Sequence, residues 1–220
     1  MRAVLSYIID SQRLHLISLD ISSFKSVHDC IKEFQSQNKQ LNMLIENASV
    51  LACLEGRTVD SFETQFITNY LAQFLLFHLF KPTLLASFTT KFNSRVVLVS
   101  SSAHRNWSVH FDNLSLEGEY EPWKAYVQSK TALLWTADEI ERRYGSKRLR
   151  AFSLHPGVIK TELLRHISAE QQATWAKDEI LATYWKTPKQ GAATTVWAAV
   201  SKELEGKGGK YLYDCQIASP

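Results

Sequence analysis

Arg95-Val96-Val97-Leu98-Val99-Ser100-Ser101-Ser102 is an apolar run of strand length that stops on three hydroxyl side chains. Such a run, bounded by polar turn formers, is the pattern of a buried strand ending at a polar tip. Four further runs of the same kind are Leu14 to Leu19, Leu41 to Ile45, Leu149 to Leu154 and Lys210 to Tyr213. The segments between them have helical periodicity. Phe24, Val27, Ile31 and Phe34, spaced by three and four, fall on one face of a helix. Asp20 to Ser23 supplies capping residue types ahead of that helix, and Pro188 opens a last one through Ala199, at the position where a missing N–H costs nothing. Strand and helix in alternation predict an α/β fold, a doubly wound parallel sheet with helices on both sides, as one domain over residues 1–220. In such a sheet, sites form at the carboxyl ends of the strands. Those ends are Asp20, Asn47, Ser100 to Ser102, and His155 to Gly157.

Composition removes several alternatives. With 45% hydrophobic residues in 220 and a formal charge of +3, the chain can bury a full core, which excludes disorder, collagen and coiled coil. The basic residues are spread thinly apart from Arg142, Arg143, Lys147, Arg148 and Arg150, so no nucleic-acid footprint is expected. Cys30, Cys53 and Cys215 form no C-x-x-C pair and no metal-ligand spacing, which argues against a disulfide framework or a metal site and for a reducing, cytoplasmic setting. Met1 to Asp10 lacks the small-residue cleavage site of a signal peptide. Leu71 to Phe88 has spanning length, but Gln73, His78, Lys81 and Pro82 interrupt it, so a buried helix is expected there and not a membrane segment.

Chemistry enters with tyrosine and lysine four residues apart. That spacing puts both on one helical face, where an ammonium about 4 Å from a phenolate contributes ~4 kcal/mol at an effective dielectric of about 20, enough to draw the tyrosine pKa from about 10 towards 7. The spacing occurs twice, at Tyr120/Lys124 and Tyr126/Lys130. Pro122 disfavours helical geometry at Glu121 and marks a helix start, so only Tyr126 and Lys130 share the helix. A hydroxyl among Ser100 to Ser102 could bond a substrate oxygen while Tyr126 exchanges its proton. The same serines also suit plain turn or cap positions. Asn69, in the otherwise apolar helical stretch Ile67 to Phe80, is either part of a site or a core asparagine with satisfied hydrogen bonds.

Taken in order along the chain, five motifs resemble the short-chain dehydrogenase/reductase family. They are Leu41-Asn42-Met43-Leu44-Ile45-Glu46-Asn47-Ala48, Phe66-Ile67-Thr68-Asn69-Tyr70, the serine strand, Tyr126-Val127-Gln128-Ser129-Lys130, and His155-Pro156-Gly157-Val158-Ile159-Lys160-Thr161. The stretch from Ser101 to Tyr126, with Ala103-His104 and Phe111-Asp112-Asn113-Leu114 inside it, looks most like the retinol-dehydrogenase-like branch and its fungal relatives. The resemblance implies Tyr126 as general acid/base and Lys130 as the residue that lowers its pKa and holds the nicotinamide ribose. It implies Ser101 as the residue orienting the substrate oxygen, and Asn69 as part of a proton relay. It further implies that Asn47, Val158 and Thr161 line the cofactor and that Asp20 contacts adenine.

The chain departs from the family pattern at its start. Family members open with a strand and a glycine-rich loop whose amides meet the pyrophosphate at a helix amino terminus, whereas the first glycine here is Gly56. Met1 to Asp10 resembles the tail of the family's second helix, so the first two strands are expected to be missing from the sheet. Asn-Asn-Ala-Gly has become Glu46-Asn47-Ala48-Ser49, which is expected to put a carboxylate near the cofactor's path. The implied activity is hydride transfer between NADP(H) and an alcohol or carbonyl group of a small, mostly apolar molecule. The alternative is a truncated, non-catalytic homologue acting as a binding or scaffold protein. Deleting two central strands is expected either to bring Leu14 to Leu19 across to pair with Leu41 to Ile45, or to leave open edges that promote self-association.

Overall fold

The computed structural model describes residues 13–178 and 183–220, so the expectations for Met1 to Asp10 lie outside the described residues. The five-stranded sheet has the order β1-β2-β3-β6-β7, built from β1 (Met43–Glu46), β2 (Ser94–Val99), β3 (Leu149–His155), β6 (Lys210–Tyr213) and β7 (Gln216–Ala218). The first four are parallel, and β7 turns back antiparallel onto β6. A two-stranded ribbon, β4 (Val158–Ile159) with β5 (Trp185–Lys186), leaves the sheet at the end of β3.

Helices cover both faces, as the doubly wound reading requires. On one side α1 (Phe24–Gln37), α2 (Ala72–Ala86) and α3 (Pro122–Tyr144) pack Val27, Ile31, Leu76, Leu133 and Ile140 over Leu44, Val96, Leu98 and Ala151. On the other, beyond the short α4 (Ala169–Lys177), α5 (Pro188–Val200) and Leu204 cover Val97, Val99, Phe152, Leu154 and Leu212. Successive strand residues point to opposite faces, which is why Val96 and Val97 belong to different cores. The apolar stretch Leu71 to Phe88 is a helix and largely α2, which buries Leu76, Phe77, Phe80 and Leu84 and is entered through one turn (Thr64–Phe66) and a π-helical segment (Ile67–Leu71). No helix among the described residues is long and apolar enough to cross a membrane. Local signals act as expected at several ends: Ser23 caps α1, Glu121 caps α3 with Pro122 at its first position, and Thr187 forms a capping box with Gln190 ahead of Pro188.

One predicted strand is absent. Leu14 to Leu19 forms no ladder, and Leu16 and Leu19 are exposed. An apolar run becomes a strand only when another strand takes its N–H and C=O groups, and this run meets none. β1 starts at Met43, two residues later than expected, because the Leu41 N–H donates to Ser87 Oγ at 2.9 Å, outside the sheet.

Among the described residues β1 therefore forms an edge paired with β2 alone, and Met43 and Ile45 lie exposed on the face opposite Leu44. An open edge with apolar side chains is a template for pairing with another chain. The isolated 220-residue chain is expected to self-associate, with sedimentation showing a concentration-dependent mass, and Ile45→Lys should shift it towards monomer. A monomer that melts cooperatively above about 50 °C would contradict this.

Candidate active site

Parallel pairing of β1, β2 and β3 brings Asn47, Ser100 to Ser102, and Pro156-Gly157 to one edge of the sheet. The α3 helix crosses that edge. Ser100 is buried and its Oγ donates to the Lys130 carbonyl at 2.7 Å, which fastens α3 to the tip of β2. Ser101 caps a short 3-10 turn, Ser102–Asn106, by accepting the Ala103 N–H at 3.2 Å. The cap reading of this serine is met, and its hydroxyl also faces the Tyr126 phenol closely enough to lower that group's pKa.

Tyr126 and Lys130 are both buried on α3. The Tyr126 side chain packs against Leu51, Val127, Leu164 and Ile167, with Ala103 and Trp175 at the margin. This apolar wall had no signal in the motif reading, because Leu164 and Ile167 come from the segment after β4, whose approach depends on tertiary folding. Burial pushes the phenol up to about 12, with the Ser101 hydrogen bond pulling the other way. Lys130 Nζ donates to the Val99 carbonyl at 2.9 Å and stands 5.6 Å from the centre of the Tyr126 ring. Its own burial brings it down to about 7. The shift expected for the tyrosine thus falls on the lysine, because desolvation of both groups outweighs their mutual attraction. Tyr120 is off the helix, as Pro122 implied. Its hydroxyl donates to the Cys53 carbonyl at 2.9 Å and accepts from Gln65 Nε2 at 3.0 Å, while Lys124 lies over the Trp107 ring.

Asn69, in the π-helical segment, is fully buried and fully engaged. Its Oδ1 accepts the Val50 N–H at 2.8 Å, and its Nδ2 donates to the Val50 carbonyl at 2.9 Å and to Ser129 Oγ at 3.1 Å. It ties the loop after β1 to α3 beside Lys130. The remaining sequence candidates are dispersed. Asn47 is exposed at the end of β1, Val158 is half-buried in β4, and Thr161 is exposed with its hydroxyl capping Leu163 N–H at 3.3 Å. Asp20 precedes α1, and Ser22 occupies its carboxylate through its N–H at 2.9 Å and its hydroxyl at 2.6 Å, which holds the acid below its usual range.

Glu46 corrects an expectation. It is buried on the Leu44 face of β1, away from the open edge, and burial raises its carboxyl well above the usual range. Strand alternation turned it inward, so no free carboxylate is presented to the site.

Lys130 is the residue here that could hold the nicotinamide half of a cofactor. An ammonium has three donors, and Lys130 gives one of them to Val99 beside the serine tip, which leaves it suited to hold sugar hydroxyls. The pyrophosphate half finds no glycine cradle among the described residues. Gly206 and Gly209 have positive φ but precede β6, at the opposite end of the sheet.

Comparison with known proteins gives the family and the fold. The family model for short chain dehydrogenase matches residues 2–172. A short-chain dehydrogenase/reductase, prx1, of Penicillium roqueforti is 51% identical over all of this chain, and retinol dehydrogenase 11 of Homo sapiens is 36% identical over 94% of it. The chain spans 64% of the first and 63% of the second. The NADPH-bound carbonyl reductase from chicken fatty liver shares the fold, with a TM-score of 0.68 and 18% identity across 99% of this chain and 82% of that one. A family-model match over residues 2–172 and relatives 51% and 36% identical across almost all of the chain place it in the short-chain dehydrogenase/reductase family, on its retinol-dehydrogenase-like branch.

Proposed function

We propose that the 220 residues act as one cofactor-binding domain of an oxidoreductase that interconverts an alcohol and a carbonyl group on a small, mostly apolar molecule, using NADP(H). The observation that carries this reading is the Tyr126 phenol bonded to Ser101 at a strand tip and walled by Leu51, Leu164 and Ile167. Bound NADPH would supply the hydride. Ser101 would orient the carbonyl oxygen, and the protonated phenol of Tyr126 would donate to it in the reducing direction. Lys130 would hold the nicotinamide ribose, with Asn47, Val158 and Thr161 beside it and Asp20 towards the adenine. Asn69 would act through α3, keeping Ser129 and Lys130 in place. The absence of a membrane-spanning helix among the described residues and the free thiols Cys30, Cys53 and Cys215 suit a cytoplasmic setting.

A second reading, a non-catalytic homologue that binds without turnover, is favoured by one observation, that no glycine cradle for a pyrophosphate lies among the described residues. Charge-assisted hydrogen bonds contribute about 1.5 to 3 kcal/mol each, so losing several should weaken NADPH binding by two or three decades or more. Calorimetry should therefore show weak binding to this chain, and Lys130→Met should weaken it further. Micromolar binding by the chain would overturn the second reading, and an unaltered isotherm for Lys130→Met would remove Lys130 from the cofactor site.

A further inference from the structure

Beyond the tyrosine and lysine, the serine tip touches a second group of titratable side chains. His104 lies in the 3-10 turn, with Nδ1 2.5 Å from the Ser101 carbonyl oxygen. A carbonyl only accepts, so Nδ1 carries the proton. The His104 ring meets Tyr211 edge-on, with centroids 4.9 Å apart. His155 is the last residue of β3, and its Nε2 is 3.4 Å from Ser102 Oγ. Its ring stacks on Tyr213 at 5.3 Å, the residue opposite it in the β3–β6 register. Tyr211 and Tyr213 are two apart on β6 and so share a sheet face. His155 and Tyr211 are both more than nine-tenths buried.

We propose that His104 and His155 are positioning residues that grip the Ser101–Ser102 turn from two sides, one through the Ser101 carbonyl and the other through the Ser102 hydroxyl, and so fix how Ser101 meets Tyr126. The inference rests on reading Ser101 and Tyr126 as the reacting pair. Ser101 Oγ already accepts the Ala103 N–H, so any relaxation of the turn rotates this hydroxyl relative to the phenol. Both imidazoles are kept neutral by burial, His155 down to about 4 with Lys186, Arg105 and His104 acting in the same direction and Asp214 against, and His104 lowered with help from Arg105. A neutral ring keeps the same hydrogen-bonding pattern across the working pH range, which suits a fixed support and not a proton carrier.

Phenylalanine preserves each ring contact while removing the nitrogens. Asparagine replaces Nδ1 and glutamine replaces Nε2. With NADPH and 4-nitrobenzaldehyde as probe substrates, His104→Phe and His155→Phe should each lose about tenfold or more in kcat, the size of one lost hydrogen bond, with KM for the aldehyde within about twofold. His104→Asn and His155→Gln should recover most of the loss. Nitrogen-15 spectra of the folded wild-type chain should show His104 as a fixed Nδ1–H tautomer, and Ser102→Ala should shift the His155 ring nitrogens. Unchanged kcat in both phenylalanine variants, failure of both rescues, or an averaging His104 ring with a His155 signal indifferent to Ser102→Ala would overturn the proposal. Should the wild-type chain not turn over the aldehyde, the catalytic reading fails, and the nitrogen spectra alone decide whether the two histidines hold the turn.

Discussion

Tyr126→Phe should abolish measurable turnover while leaving the fold intact. The substitution removes one oxygen, and the ring keeps its packing against Leu51, Leu164 and Ile167. What is lost is the proton donor, and general acid catalysis of this kind contributes about 10²- to 10⁴-fold. The assay is NADPH-dependent reduction of 4-nitrobenzaldehyde at high cofactor concentration, with circular dichroism as the control for folding. The pH dependence follows from the shifted groups. A phenol pushed up to about 12 stays protonated through neutral and mildly alkaline pH, so reduction by the wild-type chain should not fall off near pH 10, where an ordinary tyrosine ionises. Of the Tyr126/Lys130 couple, it is Lys130 that burial brings to neutrality, down to about 7. Its folded pKa lies below its unfolded value of 10.5, so the folded state binds fewer protons between about pH 7 and pH 10.5, and stability should rise with pH across that window. Turnover by Tyr126→Phe within about tenfold of wild type would remove the phenol from the chemistry.

Arg95→Met should cost the largest share of stability of any single change considered. Arg95 is fully buried on β2, on the face covered by α5. Its guanidinium donates to the Ala198 carbonyl at 2.8 Å and the Ser201 carbonyl at 2.7 Å, at the end of α5, and to Glu205 Oε1 at 2.8 Å. It also lies over the Phe92 ring, 4.5 Å from its centre. A cation at a helix carboxyl terminus complements the partial negative charge there. Methionine fills much of the volume but leaves two carbonyls and a carboxylate without their donor. Breaking a buried pair from one side costs about 3 to 5 kcal/mol, against a net stability of about 5 to 15 for a typical domain. Urea denaturation should show a loss of that size, and the melting temperature should fall by about 10 °C or more. Glu205→Gln, which keeps an acceptor near Arg95 and changes a partly exposed side chain, should cost far less. Equal effects of the two variants would place the stabilising interaction in the ion pair and not in the helix end.

The local rules were readable residue by residue. Alternating apolar runs and helical spacings located β2, β3, β6 and α1 within a residue or two, and Pro122 separated Tyr120 from the helix that carries Tyr126 and Lys130. Each of these follows from neighbours in the chain: a ring that fixes φ, a side chain that caps, a period that selects a face. Capping, proline placement and periodicity therefore determined the alternation of elements and the polar strand tips. Tertiary structure decided everything that depends on what a segment meets. Leu14 to Leu19 has the composition of a strand and no partner, so it makes none. Glu46 sits one residue from the exposed Asn47, and strand alternation buries it instead of presenting it to the site. Burial also determined which member of the Tyr126/Lys130 couple is shifted towards neutrality, because four-residue spacing fixes their closeness but not the desolvation of each, to which the wall of Leu164 and Ile167 around Tyr126 belongs.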